Sequence, residues 1–249
     1  MIMLAEILET AKKDSDGSLV DSTVGPHGDM LGPAAMSRVV RGRAATLTEA
    51  QEHICVSDIA VLFTDLKGSS ALYRRVGDAA AYRLIRGHFD LLAGIITACA
   101  GALVKTIGDA VMAVFPSPHM ALKAALAIQS HVGGSNPEVP AGTCLTVKLG
   151  IHAGPAITVR LQECYDYFGE VVNMAAQLRD LSGGGEIVIS HAVAEDPCVQ
   201  LLLTQPSLAN CRLTVERIAL KGSDDVQPVA RISRCLKIAA PAPRELRQG

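Results

Sequence analysis

The chain has 249 residues, 49% hydrophobic and 19% charged, enough for one well-filled domain of about 180–200 residues with tails. A formal net charge of −2 leaves no basic footprint for nucleic acid, and no run of Lys or Arg marks a membrane surface, so a bound nucleotide would be held by local groups or metal ions. Seven cysteines, none at Cys-x-x-Cys spacing, argue for reduced thiols; with no signal-type leader and no apolar stretch of membrane length, the expectation is a cytoplasmic protein without a membrane span.

In chain order, residues 1–13 carry a short amphipathic helix pattern with Leu4, Ile7 and Leu8 on one face, and residues 14–34 have linker composition. Thr46 and Glu49 form a capping-box pattern for a brief helix. Residues 1–50 are therefore expected to be an N-terminal helix and flexible linker, 51–234 the domain, and 235–249 a disordered tail. Residues 59–63 (Ile-Ala-Val-Leu-Phe) read as a strand buried on both faces, ending in the polar loop Thr64-Asp-Leu-Lys-Gly-Ser-Ser70. A long helix over about 78–100 follows, with Tyr82, Ile85, Phe89, Leu92 and Ile96 at helical spacing. Residues 102–104 and 110–115 flank a Thr-Ile-Gly-Asp corner and predict a hairpin in which Gly108 supplies the turn angles. Lys105 and Asp109 are charges in this otherwise apolar hairpin, a costly placement unless they are paired or used. Then come a helix over 118–132, a loop over 133–142, strands over 145–152 and 155–161, and a helix over 170–181 stopped by Ser182-Gly-Gly-Gly185. A strand over 187–190 and a closing pair over 212–220 and 227–232 complete the pattern. This order predicts an α+β fold: a ferredoxin-like split-βαβ core with extra strands, forming an antiparallel-rich sheet with helices on one face.

Asp65 follows the first apolar strand, and Asp109 lies on a hairpin that a split-βαβ sheet sets beside that strand. Two carboxylates at adjacent strand ends suit divalent ions completed by substrate phosphates; equally, Asp65 caps a helix and Asp109 is a turn residue. Gly68-Ser69-Ser70, between a strand and a helix start, offers backbone N–H groups to an anion. The Gly183–Gly185 run follows a helix and lacks a Gly-Lys-Ser/Thr ending, so it reads as a helix stop. No Gly-x-Ser-x-Gly elbow occurs, and His152 reads as structural. Asn173 and Gln177, four residues apart, share one helix face.

Taken together, Phe63-Thr-Asp-Leu-Lys-Gly-Ser-Ser70, Lys105-Thr-Ile-Gly-Asp109, Gly150-Ile-His-Ala-Gly-Pro155 and Tyr165-Asp-Tyr-Phe-Gly-Glu-Val-Val-Asn173 resemble the class III adenylate/guanylate cyclase catalytic domain, in the family's order, over about residues 56–232. The resemblance implies that Asp65, Asp109 and the backbone of Leu66 hold two Mg²⁺ or Mn²⁺ ions and that the amides of Gly68, Ser69 and Ser70 cradle the triphosphate. It further implies that Lys105 and Asp166 read adenine and Asn173 orients the ribose. The implied reaction is two-metal-assisted attack of the ribose 3′-oxygen of ATP on the α-phosphorus, giving 3′,5′-cyclic AMP and pyrophosphate. Metal residues come from one subunit and base residues from the other, so a homodimer, or a heterodimer with another cyclase domain, is implied. The departure is Gln177, where the family's Asn-x-x-x-Arg pattern has the arginine that stabilises charge at the α-phosphate. Loss of such a donor costs roughly 10²–10³ in rate. Two outcomes stay open: a slow adenylate cyclase, or a catalytically weak pseudo-cyclase that binds nucleotide or heterodimerises with an active cyclase to regulate it.

Overall fold

The computed structural model describes residues 46–49, 52–132, 146–161, 164–219 and 226–234. The readings for residues 1–34, the 133–142 loop and the tail from 235 lie outside the described residues.

Strand β1 (Thr46–Glu49) pairs with the start of β2 (Glu52–Lys67), so the capping-box helix expected at Thr46 is instead a strand. A lone helical turn gains little, whereas four residues beside an existing strand complete a ladder. β2 is longer than the apolar run and carries Asp65 inside the strand rather than after it. It lies between two strands with both faces covered, which is why residues 59–63 show no polar alternation. A further short helix, α1 (Ser69–Val76), starts within the expected polar loop; the long helix expected over 78–100 is α2 (Asp78–Ala98), and Gly77, with φ 78°, separates the two. Ala81, Ile85, Leu92 and Ile96 form the inward stripe of α2, while Tyr82, expected inside, points outward.

β3 (Ala102–Ile107) and β4 (Ala110–Phe115) form the hairpin; Ile107 pairs with Ala110 across a two-residue Gly108-Asp109 loop, with Gly108 at φ 64°. β3 thus runs on through Lys105, Thr106 and Ile107, and the expected four-residue corner shrinks to two. After α3 (Pro118–Val132), the two expected strands are one, β5 (Thr146–Leu161), which runs through Pro155. Pro155 faces Asp58 of β2, and at that point the other edge of β5 has no partner strand among the described residues, a place where a missing N–H is tolerated. β6 (Cys164–Phe168) pairs with the end of β5, α4 (Glu170–Leu181) follows, and β7 (Glu186–Ser190) runs parallel to β5. Two short helices not expected from the pattern, α5 (His191–Ala194) and α6 (Pro197–Leu203), are N-capped by Ser190 and Asp196. β8 (Cys211–Ala219) and β9 (Val226–Arg234) close the sheet.

The strand order is β3-β4-β2-β5-β7-β9-β8, and its first four members are the split-βαβ core. The fold is the expected α+β one. Its helices divide unequally: residues of α2, α3, α5 and α6 join one face of the sheet in the main core, whereas α4 packs Val171 and Ala175 on the other face against Val61, Phe63 and Met112. Among the described residues no helix is long and apolar enough to cross a membrane.

Candidate active site

The face covered by α4 also carries Asp65, because residues 61, 63 and 65 of β2 alternate onto it. The β2–β4 ladder ends at Thr64–Val111; one step on, Asp65 comes level with Ala110, next to Asp109 in the hairpin turn. The two carboxylates expected to cooperate therefore sit at one end of the sheet. Across β2 and β5, Asp65 is the register partner of Lys148, whose Nζ lies 4.0 Å from Asp65 Oδ2. Sequence reasoning missed Lys148; the cue is its place two residues before Gly150 on the same strand face, but only the register sets it opposite Asp65. On the other side, His88 of α2 is largely buried; burial lowers its pKa, and the negative charge of Asp109 acts in the opposing direction.

Among the described residues no group of three or more His, Cys, Asp or Glu side chains gathers as a ready-made metal cage. Two carboxylates with a neighbouring backbone carbonyl are a hard-oxygen donor set, which fits a divalent cation whose shell is completed by phosphates and water. Leu66 buries its side chain against Leu72, Ala81 and Ile85, so it offers this end only its backbone. Beyond it, Gly68 adopts φ 99° and turns the chain into α1; the first helical bond is from Leu72 N to Gly68 O, so the amides of Ser69 and Ser70 precede the helix ladder. No acidic residue stands in that first turn to compete with an anion.

The second group lies where β3 meets β6. A bulge between Leu103 and Lys105 shifts the β3 register, and Lys105 Nζ donates to both oxygens of Asp166 at 2.8 and 2.7 Å. Asp166 Oδ1 also accepts from its neighbour's backbone, Tyr167 N, at 2.8 Å. The Phe168 ring stands 6.0 Å from the same ammonium. Residues 61 apart in sequence thus meet as a pair within a single chain.

Asn173 is exposed and Gln177 half-buried on α4. This helix lies close to the sheet because of Gly150: a Cβ there would fall 2.1 Å from Arg179 N and 2.6 Å from Ala175 O. Gly150 of the motif is therefore a packing requirement. Arg179 bonds Asp180 through Nε and Nη2 and places Cζ 5.6 Å from the centre of the Phe63 ring. His152, expected to be structural, has its Nδ1 2.7 Å from Ser190 Oγ, and burial lowers its pKa against the opposing effect of Glu170. The Gly183–Gly185 run is a helix stop, held by Lys67 Nζ on Gly183 O and Gln129 Nε2 on Gly185 O, both at 2.6 Å.

The family model for the adenylate and guanylate cyclase catalytic domain matches residues 50–226, and the chain belongs to that family. The chain is similar to an adenylate cyclase of Lachancea kluyveri, 32% identical over an alignment of 155 residues that covers 53% of this chain and 8% of that protein. It is also 32% identical over 162 residues to an uncharacterised protein of Mycobacterium tuberculosis, covering 65% of this chain and 38% of that one. It thus spans well under half the length of these relatives. Among solved structures, the adenylyl cyclase CyaB from P. aeruginosa superposes with a TM-score of 0.61 at 19% identity, over 76% of this chain and 100% of that one. The catalytic core of a rhodopsin-guanylyl cyclase with converted specificity gives 0.61 at 17% identity, over 74% and 99%. These likenesses establish the fold.

Proposed function

We propose that this domain is an adenylate cyclase, converting ATP to 3′,5′-cyclic AMP and pyrophosphate. The observation that carries the choice of ATP is the Lys105–Asp166 pair. Adenine presents an acceptor at ring N1 beside a donor on its exocyclic amine; an ammonium next to a carboxylate matches that order. Guanine presents the reverse, a donor at N1 and an acceptor at O6, and would leave both protein groups mismatched. Asp166 already accepts from Lys105 and Tyr167 N and retains lone pairs for the amine.

At the other end, Asp65, Asp109 and the Leu66 carbonyl would hold the divalent ions. When bound, these ions neutralise phosphate charge and make the ribose 3′-oxygen a better nucleophile. The amides of Ser69 and Ser70 and the Lys148 ammonium are the chain's own groups for the triphosphate. Asn173, exposed on α4, is suited to orient the ribose in a site shared with a second subunit. In the reaction the 3′-oxygen bonds to the α-phosphorus, the bond from that phosphorus to the bridging oxygen breaks, pyrophosphate leaves, and the 3′-hydroxyl proton passes to solvent. Gln177 brings no charge to this step, which favours slow turnover.

The test is cyclic AMP formation by the purified chain from ATP, with GTP in parallel, in Mg²⁺ or Mn²⁺. ATP turnover above an Asp65→Ala control is expected; product at the control level refutes the reading. Gln177→Arg is expected to raise kcat about 10-fold or more with KM for ATP little changed. The second reading, a pseudo-cyclase that binds nucleotide or pairs with an active cyclase, is favoured by Gln177 alone; it requires binding of ATP with metal, or dimerisation with an active cyclase, and no product from the homodimer.

A further inference from the structure

The last strand of the sheet carries an edge that nothing blunts. β8 pairs with β9 from Cys211–Arg234 to Ala219–Val226, and no described strand lies along its outer side. Proline, a bulge or a short length ordinarily protects such an edge. β8 has 9 residues, no proline and no register shift. Its side chains alternate between the two faces. Leu213 and Val215 share the main-core face with their partners Ile232 and Ala230, yet the helices that bury those partners leave Leu213 50% and Val215 68% exposed. Arg212, Thr214 and Glu216 lie on the opposite face with Arg231, and all three are exposed. Arg231 Nε donates to Oε1 of Glu216, whose side chain is still 43% exposed.

The order of these residues is self-complementary. Let β8 run antiparallel to a second β8 about a two-fold axis at Thr214. Leu213 then falls opposite the second copy's Val215, and Arg212 opposite its Glu216, each pair occurring twice. Residues directly opposite share a face and interact, so an apolar cluster forms on one face and two ion pairs on the other. Other axes forfeit this match. At Val215 the axis sets Leu213 against Arg217; at Leu213 it sets Arg212 against Thr214; at Arg212 or Glu216 like charges meet.

We propose that β8 is a docking edge for a second copy of this chain, added antiparallel about Thr214 so that two sheets become one. Asp65, Lys105 and Asp166 lie on β2, β3 and β6, none of which pairs with β8. The contact is therefore separate from any dimer that shares active sites, and it stands independently of the cyclase reading.

Sedimentation velocity of the full chain over a concentration series is the test. The wild type is expected to reach at least twice the mass of Val215→Lys at equal concentration, with association in the variant weakened about 10-fold or more. Arg212→Glu, which sets carboxylates opposite one another, should weaken it likewise. Both positions are exposed, so the variants should melt near the wild type. Equal masses overturn the proposal. Oxidation of Thr214→Cys reads the register: opposite Cα atoms are about 4.5–5.5 Å apart, within disulfide reach. Peptide mass spectrometry should find position 214 joined to its own copy. Arg212→Cys should not self-link, because its counterpart lies about 13 Å along the strand. Self-linking at 212, or none at 214, overturns the assignment. Slow hydrogen exchange at every β8 amide of unassociated Val215→Lys, rather than only at those bonded to β9, also overturns it, because residues 1–45 or 235–249 of the same chain would then cover the edge.

Discussion

Where β3 meets β6, Lys105 and Asp166 stand 2.7–2.8 Å apart, neutralise one another and are held by a backbone N–H and an aromatic ring. At the ends of β2 and β4, Asp65 has Lys148 at 4.0 Å, and the charge of Asp109 acts on His88, whose pKa is lowered by partial burial. The first region is complete as folded; the second has an unfinished charge set that cations and phosphates would finish. On the adenylate cyclase proposal, the first region would select the base within a single chain and the second would hold metal and phosphate. That division follows from chemistry: opposite charges can close on each other, but two carboxylates cannot.

The strongest way to break this comparison is to remove a carboxylate from the unfinished end. Asp65→Ala or Asp109→Ala should lower cyclic AMP formation by about 10³-fold or more and abolish Mn²⁺ binding in the presence of ATP, read by electron paramagnetic resonance. The thermal melt should move little, since neither residue is buried. Persistence of more than a tenth of the activity would show that this end does not hold the metals. The next effect is on the finished end. Lys105→Glu combined with Asp166→Cys reverses the hydrogen-bonding order and should shift the ATP-to-GTP rate ratio toward GTP by about 10²-fold. An unchanged ratio would mean that the pair is an ordinary ion pair.

A smaller effect tests the element that links the two regions. Gly150→Ala places a methyl 2.1 Å from the backbone of α4, which cannot yield as a side-chain tip can. Overpacking of this kind costs about 1–3 kcal/mol, or roughly 3–10 °C in melting temperature for a domain of this size. The smallest effect is the pH dependence of stability. Burial lowers the pKa values of His152 and His88 below the ordinary 6.5. The unfolded chain takes up protons there that the folded chain refuses, so their contribution is fully present above about pH 6.5 and declines as pH falls toward the lowered folded values. In His152→Gln, chemical-denaturation midpoints between pH 7 and 5 should fall less steeply than in the wild type.

Much of this molecule is legible in short stretches of its chain. The apolar run at 59–63, the hairpin with Gly108, the helix stop at Ser182 and the carboxylates Asp65 and Asp109 are local signals, readable because composition and spacing act over a few residues. The misreadings are equally physical. Thr46–Glu49 carries a helix cap pattern yet pairs as a strand, and Pro155 marks a break that the sheet does not make. In both places a neighbouring strand outweighs local preference.

The family, the split-βαβ order and the residue types available for metal, phosphate and base all follow from the order of amino acids alone; the uncharged residue at 177 does too. Which charges face which is a property of the folded chain. Folding closes Lys105 onto Asp166, sets Lys148 across from Asp65, and lays Arg179 over Phe63 on the face that carries Asp65. Those pairings depend on strand register and on the depth at which Gly150 lets α4 settle, and neither quantity is written in any short stretch of the chain.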